Sequence, residues 1–403
     1  MGLHSLHAQD YRIVQRSIGI EDGLTSVNVR RYYFDRDGFT WIGTDRGLNR
    51  FDGNQVKAYT VSNRKLVGDR IGDIAEDFEG NIWLIGQNVD EENLKLIQIF
   101  NKKTSKATRF DEYFKGSIPS GIQPIRSIHS TLESQIIWII SEDQKVWVYE
   151  KGKSGSGEFR LVYTLPSHSQ YVEPCPTGIW IQSASGAVLI DNQGKLINEL
   201  TEPINESGPI LFSDQFGNAY FSKSTGTIHP ENGRPNQRRV LFRNDSLIAS
   251  DHPGFWLDKR IMGFDPYQIQ YWYQVGRTYQ VFDENHKRLA SIPFQETIYS
   301  YPKTMAFDPQ GNGWSDNSGR IYITKIQKSK FRNYVTDKEV FGSYGYNARS
   351  LYADGEGNLF SNGLGPTYRI NESTGKEVDI GPRSNFYNGP GELEWLKRYG
   401  LIR

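Results

Sequence analysis

The sequence predicts an all-β fold, a β-propeller of four-stranded antiparallel blades, with seven blades as the leading count and eight as the alternative. Three observations carry this. Rings and glycines are abundant, with 23 Tyr, 21 Phe, 9 Trp and 40 Gly in 403 residues, a composition suited to sheets filled by large side chains and joined by many tight turns. One phrase recurs along the chain: an alternating apolar strand, an Asp-x-x-Gly turn, an aromatic-centred strand, and a further strand. The aromatic centres Trp41, Trp83, Trp138, Trp180, Tyr220, Trp272, Trp314 and Phe360 stand 40 to 55 residues apart. A unit of about 40 to 45 residues made of short strands is a propeller blade, whereas leucine-rich, ankyrin and tetratricopeptide repeats are shorter and mostly helical.

The elements follow in order. Residues 1–8 lack the basic start and long apolar stretch of a signal peptide, yet Leu6-His7-Ala8 before Gln9 resembles the end of a cleavage site. They read either as the stub of a trimmed export signal or as a flexible start. Tyr11-Arg12-Ile13-Val14-Gln15-Arg16-Ser17-Ile18 alternates like a strand without a blade of its own, so it is expected to add an outer strand to the last blade and close the ring. The first full copy runs from Val29 through Asp35, Gly38 and Trp41 to Asp52, and the second from Ile71 through Asp77, Gly80 and Trp83. Eroded copies centre on Trp138, Trp180 and Tyr220. Then Met262-Gly263-Phe264-Asp265-Pro266 leads to Trp272, and the matching Met305-Ala306-Phe307-Asp308-Pro309 leads to Trp314.

In each turn Asp bonds its own backbone and Gly takes positive φ, while the following aromatic fills the space between blades, so these anchors are structural. The propeller is expected over 9–341. Residues 342–403 are either its last blade or the truncated start of a second propeller, since Trp395 to Arg403 reads like the opening strand of another copy.

Lys and Arg number 47, Asp and Glu 47, a balance without the cationic surplus that phosphate binding requires, so no contact with nucleic acid is expected. No stretch reaches the about 18 apolar residues of a membrane helix. A single cysteine, Cys175, rules out an intramolecular disulfide framework and a zinc site built on several thiolates.

The run Gly23-Leu24-Thr25-Ser26-x-Asn28-Val29, followed by Asp35-x-Asp37-Gly38-x-x-Trp41-Ile42-Gly43-Thr44-Asp45-x-Gly47-Leu48-Asn49-Arg50-Phe51-Asp52-Gly53, resembles the two-component regulator propeller repeat. In motif detail the resemblance covers about 30 residues, and in periodicity most of the chain. It implies the periplasmic sensor region of a Bacteroidetes-type hybrid two-component system, whose family members usually carry two seven-bladed propellers, an immunoglobulin-like domain, a membrane helix, and kinase, receiver and DNA-binding modules. On that footing any histidine kinase activity belongs to later modules, the full-length protein signals as a homodimer, and the membrane is reached through other segments.

Catalytic motifs are missing. His4, His7, His129, His168, His229, His252 and His286 show no metal-ligand spacing, and there is no GxSxG elbow or phosphate loop. Asp90-Glu91-Glu92 lacks the alternation of a calcium loop and reads as a solvated turn. No catalytic residue, metal or cofactor is expected. For ligand binding, the loops on one face of the ring offer Asn63, Arg64, Arg70, Arg126, Tyr299, Tyr301, Tyr344, Tyr346 and Arg349. Flat rings stack on sugar C–H faces, and Arg or Asn forks pair with hydroxyls or carboxylates. The plainer reading of each is ring packing or a solubilising loop. Arg234, Arg238, Arg239 and Arg243 form a basic run that either attracts an acidic glycan or is a solvated turn. The expected function is recognition of an oligosaccharide from polysaccharide breakdown, signalled onward to glycan-utilisation genes. The alternatives are a propeller-fold polysaccharide lyase or glycosidase, and a protein-interaction scaffold.

Overall fold

The computed structural model describes residues 11–86, 95–132, 135–165, 169–183, 186–200, 211–228, 235–244, 246–249, 259–275, 278–284, 288–293, 305–317, 319–328, 348–353, 358–363, 368–371 and 377–379. Among them the chain folds into antiparallel sheets of four strands, each following the last in sequence. Blade one is Val29–Phe34, Thr40–Thr44, Gly47–Phe51 and Val56–Tyr59. Blade two is Ile71–Glu76, Ile82–Gly86, Ile97–Asn101 and Lys106–Arg109. Blade three is Ile125–His129, Ile137–Ser141, Lys145–Lys151 and Gly157–Thr164. Blade four opens with Ser169–Cys175, blade five with Leu211–Ser213 and blade six with Lys259–Asp265. In blade seven the order is Tyr11–Ile18, Arg320–Lys328, Asn312–Asn317, Met305–Phe307, so the outer strand comes from the other end of the chain. Gln15 Nε2 donates to Thr324 Oγ1 at 3.0 Å across that seam, and Arg320 Nε donates to Ser17 Oγ at 3.1 Å.

Contacts run from each blade to the next and return to the first. Trp41, Leu48 and Tyr59 of blade one pack on Ile74, Leu84 and Phe100 of blade two. Trp83 of blade two packs with Ile125, Ile128 and Tyr149 of blade three. Trp138 meets Ile179 and Ile181 of blade four, Trp180 meets Ala219 of blade five, and Tyr220 meets Phe264 and Tyr271 of blade six. Trp272 lies 5.4 Å from the Phe307 ring of blade seven, and Trp314 with Ile321 packs on Tyr32, Ile42 and Phe51 of blade one. Each of the seven ring anchors therefore packs on the next blade, and the seventh step closes on the first. The ring, Ile13–Ile326, is one compact unit; a second unit holds Gln327–Arg403 with Met1–Arg12 and contains its own four-stranded sheet, Ala348–Ala353, Asn358–Gly363, Tyr368–Asn371 and Glu377–Asp379. The anchor Phe360 lies in that sheet, with its side chain outside the described residues.

The Asp turn does more than close a hairpin. Asp77 Oδ1 accepts the backbone N–H of Glu79 and of Asn81, each at 2.9 Å, while its Oδ2 accepts the indole N–H of Trp83 at 2.9 Å. Asp35 and Asp308 bond Trp41 and Trp314 in the same way at 2.7 and 2.9 Å, and Asp214 accepts the Tyr220 hydroxyl at 2.8 Å. Gly80 and Gly311 complete these turns at φ of 81° and 73°, in the left-handed region where a side chain is strained.

Blade six departs from the pattern. Its turn is one residue longer, with Ile269 at φ 52°, so Trp272 keeps the strand register opposite Gly263 but stands beyond reach of Asp265. The Trp272 indole N–H is buried without a partner. In blade four Cys175 takes the Asp place, buried, with Sγ 3.4 Å from Thr177 Oγ1.

Candidate functional site

Two residues, polar save for Gly72, interrupt the alternation at the start of several inner strands: Val29-Arg30-Arg31-Tyr32, Ile71-Gly72-Asp73-Ile74 and Ile125-Arg126-Ser127-Ile128. Strict alternation would drive one of each pair into the apolar space between blades. The backbone instead slips its register between Val29 and Arg31, Ile71 and Asp73, and Ile125 and Ser127. Such a bulge re-aims a side chain. The extra residues Arg30, Gly72 and Arg126 line one cavity of about 300 Å³ together with Val29, Asp73, Ile85 and Lys95. It lies where the inner strands of blades one to three begin, on the face that carries the loops joining one blade to the next.

Two of the cations around this cavity are paired with carboxylates. Arg30 Nε donates to Asp45 Oδ1 at 2.5 Å, and Asp45 sits in the loop after Thr44. Lys95 Nζ lies 3.6 Å from Glu142 Oε1 and donates to the Arg126 carbonyl at 2.5 Å, with Glu142 in the loop after Ser141. Thr44 pairs with Val29 and Ser141 with Ile125, so the two carboxylates occupy the same place in their blades. Burial pushes the Asp73 carboxyl above its ordinary range, while the charges of Arg31 and Lys95 pull it down.

Arg31 also acts electrostatically on Glu173 and His129, groups on the inner strands of blades four and three. Burial pushes Glu173 up to about 7, against the pull of Arg31 and a backbone hydrogen bond from Ser213. His129 is buried and held neutral, driven down to about 3 by burial and then by the Arg31 charge. Its Nε2 is 3.0 Å from Ser127 Oγ, and its Nδ1 has no partner. Arg31, Asp73, His129 and Glu173 thus line successive inner strands as a polar belt, with His129 buried and the other three half-buried.

Of the nine candidate binding residues, Arg126 lines the cavity. Arg70 stands just before the inner strand of blade two, with its Nε buried and without a partner. Asn63 and Arg64 belong to an exposed turn: Asn63 accepts the Thr60 N–H at 3.0 Å and donates to the Ala58 carbonyl at 3.2 Å, and Arg64 takes φ 59°. Neither lines the cavity. Tyr299, Tyr301, Tyr344 and Tyr346 lie outside the described residues, as do Asp90, Glu91, Glu92 and Arg234. Arg349 occupies the bulge of the separate sheet, at the slip between Ala348 and Ser350, with its side chain outside the described residues, as are those of Arg238 and Arg239. Arg243 is exposed. Sequence reasoning missed Arg30, Asp73 and Lys95 in the cavity and Arg31 and Glu173 on the inner strands; the broken alternation was the signal that could have found the strand residues.

Asp35, Asp37 and Glu76 bring carboxylate oxygens within 4.8 Å of one another, a set able to hold a cation. The cation is a side chain: Lys102 Nζ lies 3.2 Å from Asp35, 2.5 Å from Asp37 and 2.6 Å from Glu76. Arg36 joins the cluster, its Nε donating to Glu76 at 3.2 Å. The group latches blade one to blade two.

No protein-family model matches the chain, and no curated protein does. Among solved structures, streptogramin B lyase is similar at 14% identity and a TM-score of 0.50, over 79% of this chain and 99% of that one. An extracellular domain assigned to a hybrid two component system of B. thetaiotaomicron is similar at 16% identity and a TM-score of 0.49, over 89% of this chain and 46% of that one. The WD40 β-propeller domain of Doa1 is similar at 14% identity and a TM-score of 0.46, over 80% of this chain and 97% of that one. At these identities the likeness is one of fold, and the all-β propeller of four-stranded antiparallel blades is the fold of this chain.

Proposed function

We propose that this chain is the non-catalytic, extracytoplasmic ligand-sensing part of a hybrid two-component regulator. On this reading it binds an oligosaccharide released from a polysaccharide and passes the binding energy on as a shift between two arrangements of the larger protein. The observation that supports the reading best is the mainly polar cavity at the start of the inner strands, where Arg30, Lys95 and Arg126 supply donors and Asp73 supplies acceptors. A few convergent polar groups are what orient a small ligand. The repeat in blade one supports the sensor setting. A ligand that prefers one arrangement by about 1 to 3 kcal/mol suffices to switch it.

A lyase reading has one observation in its favour: Glu173, titrating near neutrality, and neutral His129 both lie close to Arg31. Thermal-shift titration against neutral and acidic oligosaccharides, with reducing ends and unsaturated products measured in the same wells, separates the two. A raised Tm with one glycan class and no new products supports the sensor, because a ligand bound only by the folded state stabilises it. New products that vanish in Glu173→Gln establish the lyase instead.

A further inference from the structure

Resting on the reading of the cavity as a sugar site, we infer that it takes an uncharged, polyhydroxylated ring and discriminates against the matching uronic acid. The cavity looks basic from its lining, since Arg30, Lys95 and Arg126 outnumber Asp73. Its surroundings engage most of those donors. Arg30 is held by Asp45 at 2.5 Å, and Lys95 stands 3.6 Å from Glu142 while also donating to a carbonyl. With Asp73, three carboxylates accompany the three lining cations, and Arg31 acts on Asp73 from beside them, so the donors are largely engaged before any ligand arrives.

An incoming carboxylate would compete with Asp45 and Glu142 for donors already engaged, and would lose its own hydration beside the half-buried Asp73. Leaving a carboxylate partly desolvated and imperfectly paired is costly. A hydroxyl faces no such conflict, because each O–H can donate to a carboxylate while its oxygen accepts from a guanidinium or ammonium. Acceptors and donors on the same wall therefore suit neighbouring hydroxyls. About 300 Å³ stands at the small end of ligand sites, room for one sugar ring rather than a chain.

The test is calorimetric titration of the full chain with matched tetrasaccharides that differ only in carrying glucose or glucuronate, galactose or galacturonate, mannose or mannuronate. At least one neutral member is expected to bind, with its uronate partner weaker by about tenfold or more. Asp45→Asn and Glu142→Gln, made separately, each unmask one cation. Each is expected to narrow the preference for the neutral sugar by about threefold or more, with unchanged Tm in the absence of ligand. A uronate that binds more tightly than its neutral partner, or a preference unmoved by both substitutions, overturns this inference and leaves the sugar reading standing. No heat with any of the six sugars overturns the sugar reading and this inference with it.

Discussion

At Glu173 and His129 the same cause works in opposite directions. Burial disfavours the charged form of each, which raises an acid and lowers a base. Glu173, at about 7 in the fold against 4.5 unfolded, binds more protons folded than unfolded between those values, so it removes stability as pH rises through that window. His129, at about 3 against 6.5, binds fewer protons folded, so it removes stability as pH falls below 6.5. Between pH 4.5 and 6.5 the two slopes offset each other. Each is therefore exposed by removing the other. His129→Gln is expected to melt about 2 to 4 °C higher at pH 5 than at pH 7.5, and Glu173→Gln to show the reverse order. Melting curves of the two variants that move together with pH would dismiss this account. Neither group was legible in the sequence, where His129 is one of seven scattered histidines and Glu173 lies in an eroded copy; only the convergence of inner strands at the ring axis lets Arg31 act on them.

Within the blades, the Asp turn and its anchor aromatic were plain in the sequence because both belong to one hairpin, six residues apart at Asp35 and Trp41, Asp77 and Trp83, and Asp308 and Trp314. The turn of blade six shows the limit of that legibility. Asp265 to Trp272 reads like its neighbour, yet one extra residue preserves the strand register and forfeits the indole hydrogen bond. The contact between blades one and two was invisible, since Lys102 stands 67 residues from Asp35. Glu76 and Asp35 are almost wholly buried there, with side-chain exposures of 2% and 0%, so they depend on that ammonium. Lys102→Met is expected to destabilise the ring by about 3 kcal/mol in urea unfolding, chiefly by stranding buried carboxylate charge. Adding Glu76→Gln to that variant should recover part of the loss. If the double variant is no more stable than the single, stranded charge is not the reason.

For the ring as a whole, stability rests on closure, because each blade buries its two faces only against its neighbours. Ile18, on the strand borrowed from the start of the chain, packs in the same cluster as Leu24, Val29, Trp314 and Ile321. A chain beginning at Gly19 loses that strand and leaves the edge of Arg320–Lys328 unpaired. It is expected to melt at least about 10 °C lower, and a peptide of residues 11–18 added in trans should restore Tm with increasing concentration. An unchanged Tm in the shortened chain would show that closure does not depend on this strand.

The sequence by itself determined the blade: strand alternation, the Asp-x-x-Gly turn and the aromatic that follows are set by interactions within some ten residues, where period and turn chemistry speak directly. It also marked the bulges, as paired polar residues in Val29-Arg30-Arg31-Tyr32 and its counterparts. Only the tertiary structure decided what those bulges do. Arg30, Gly72 and Arg126 reach one cavity because three inner strands converge toward the ring axis, and Asp45 and Glu142 cancel two of its cations from separate loops. Charge pairing and cavity shape depend on distances between blades, and a linear sequence carries no such distances.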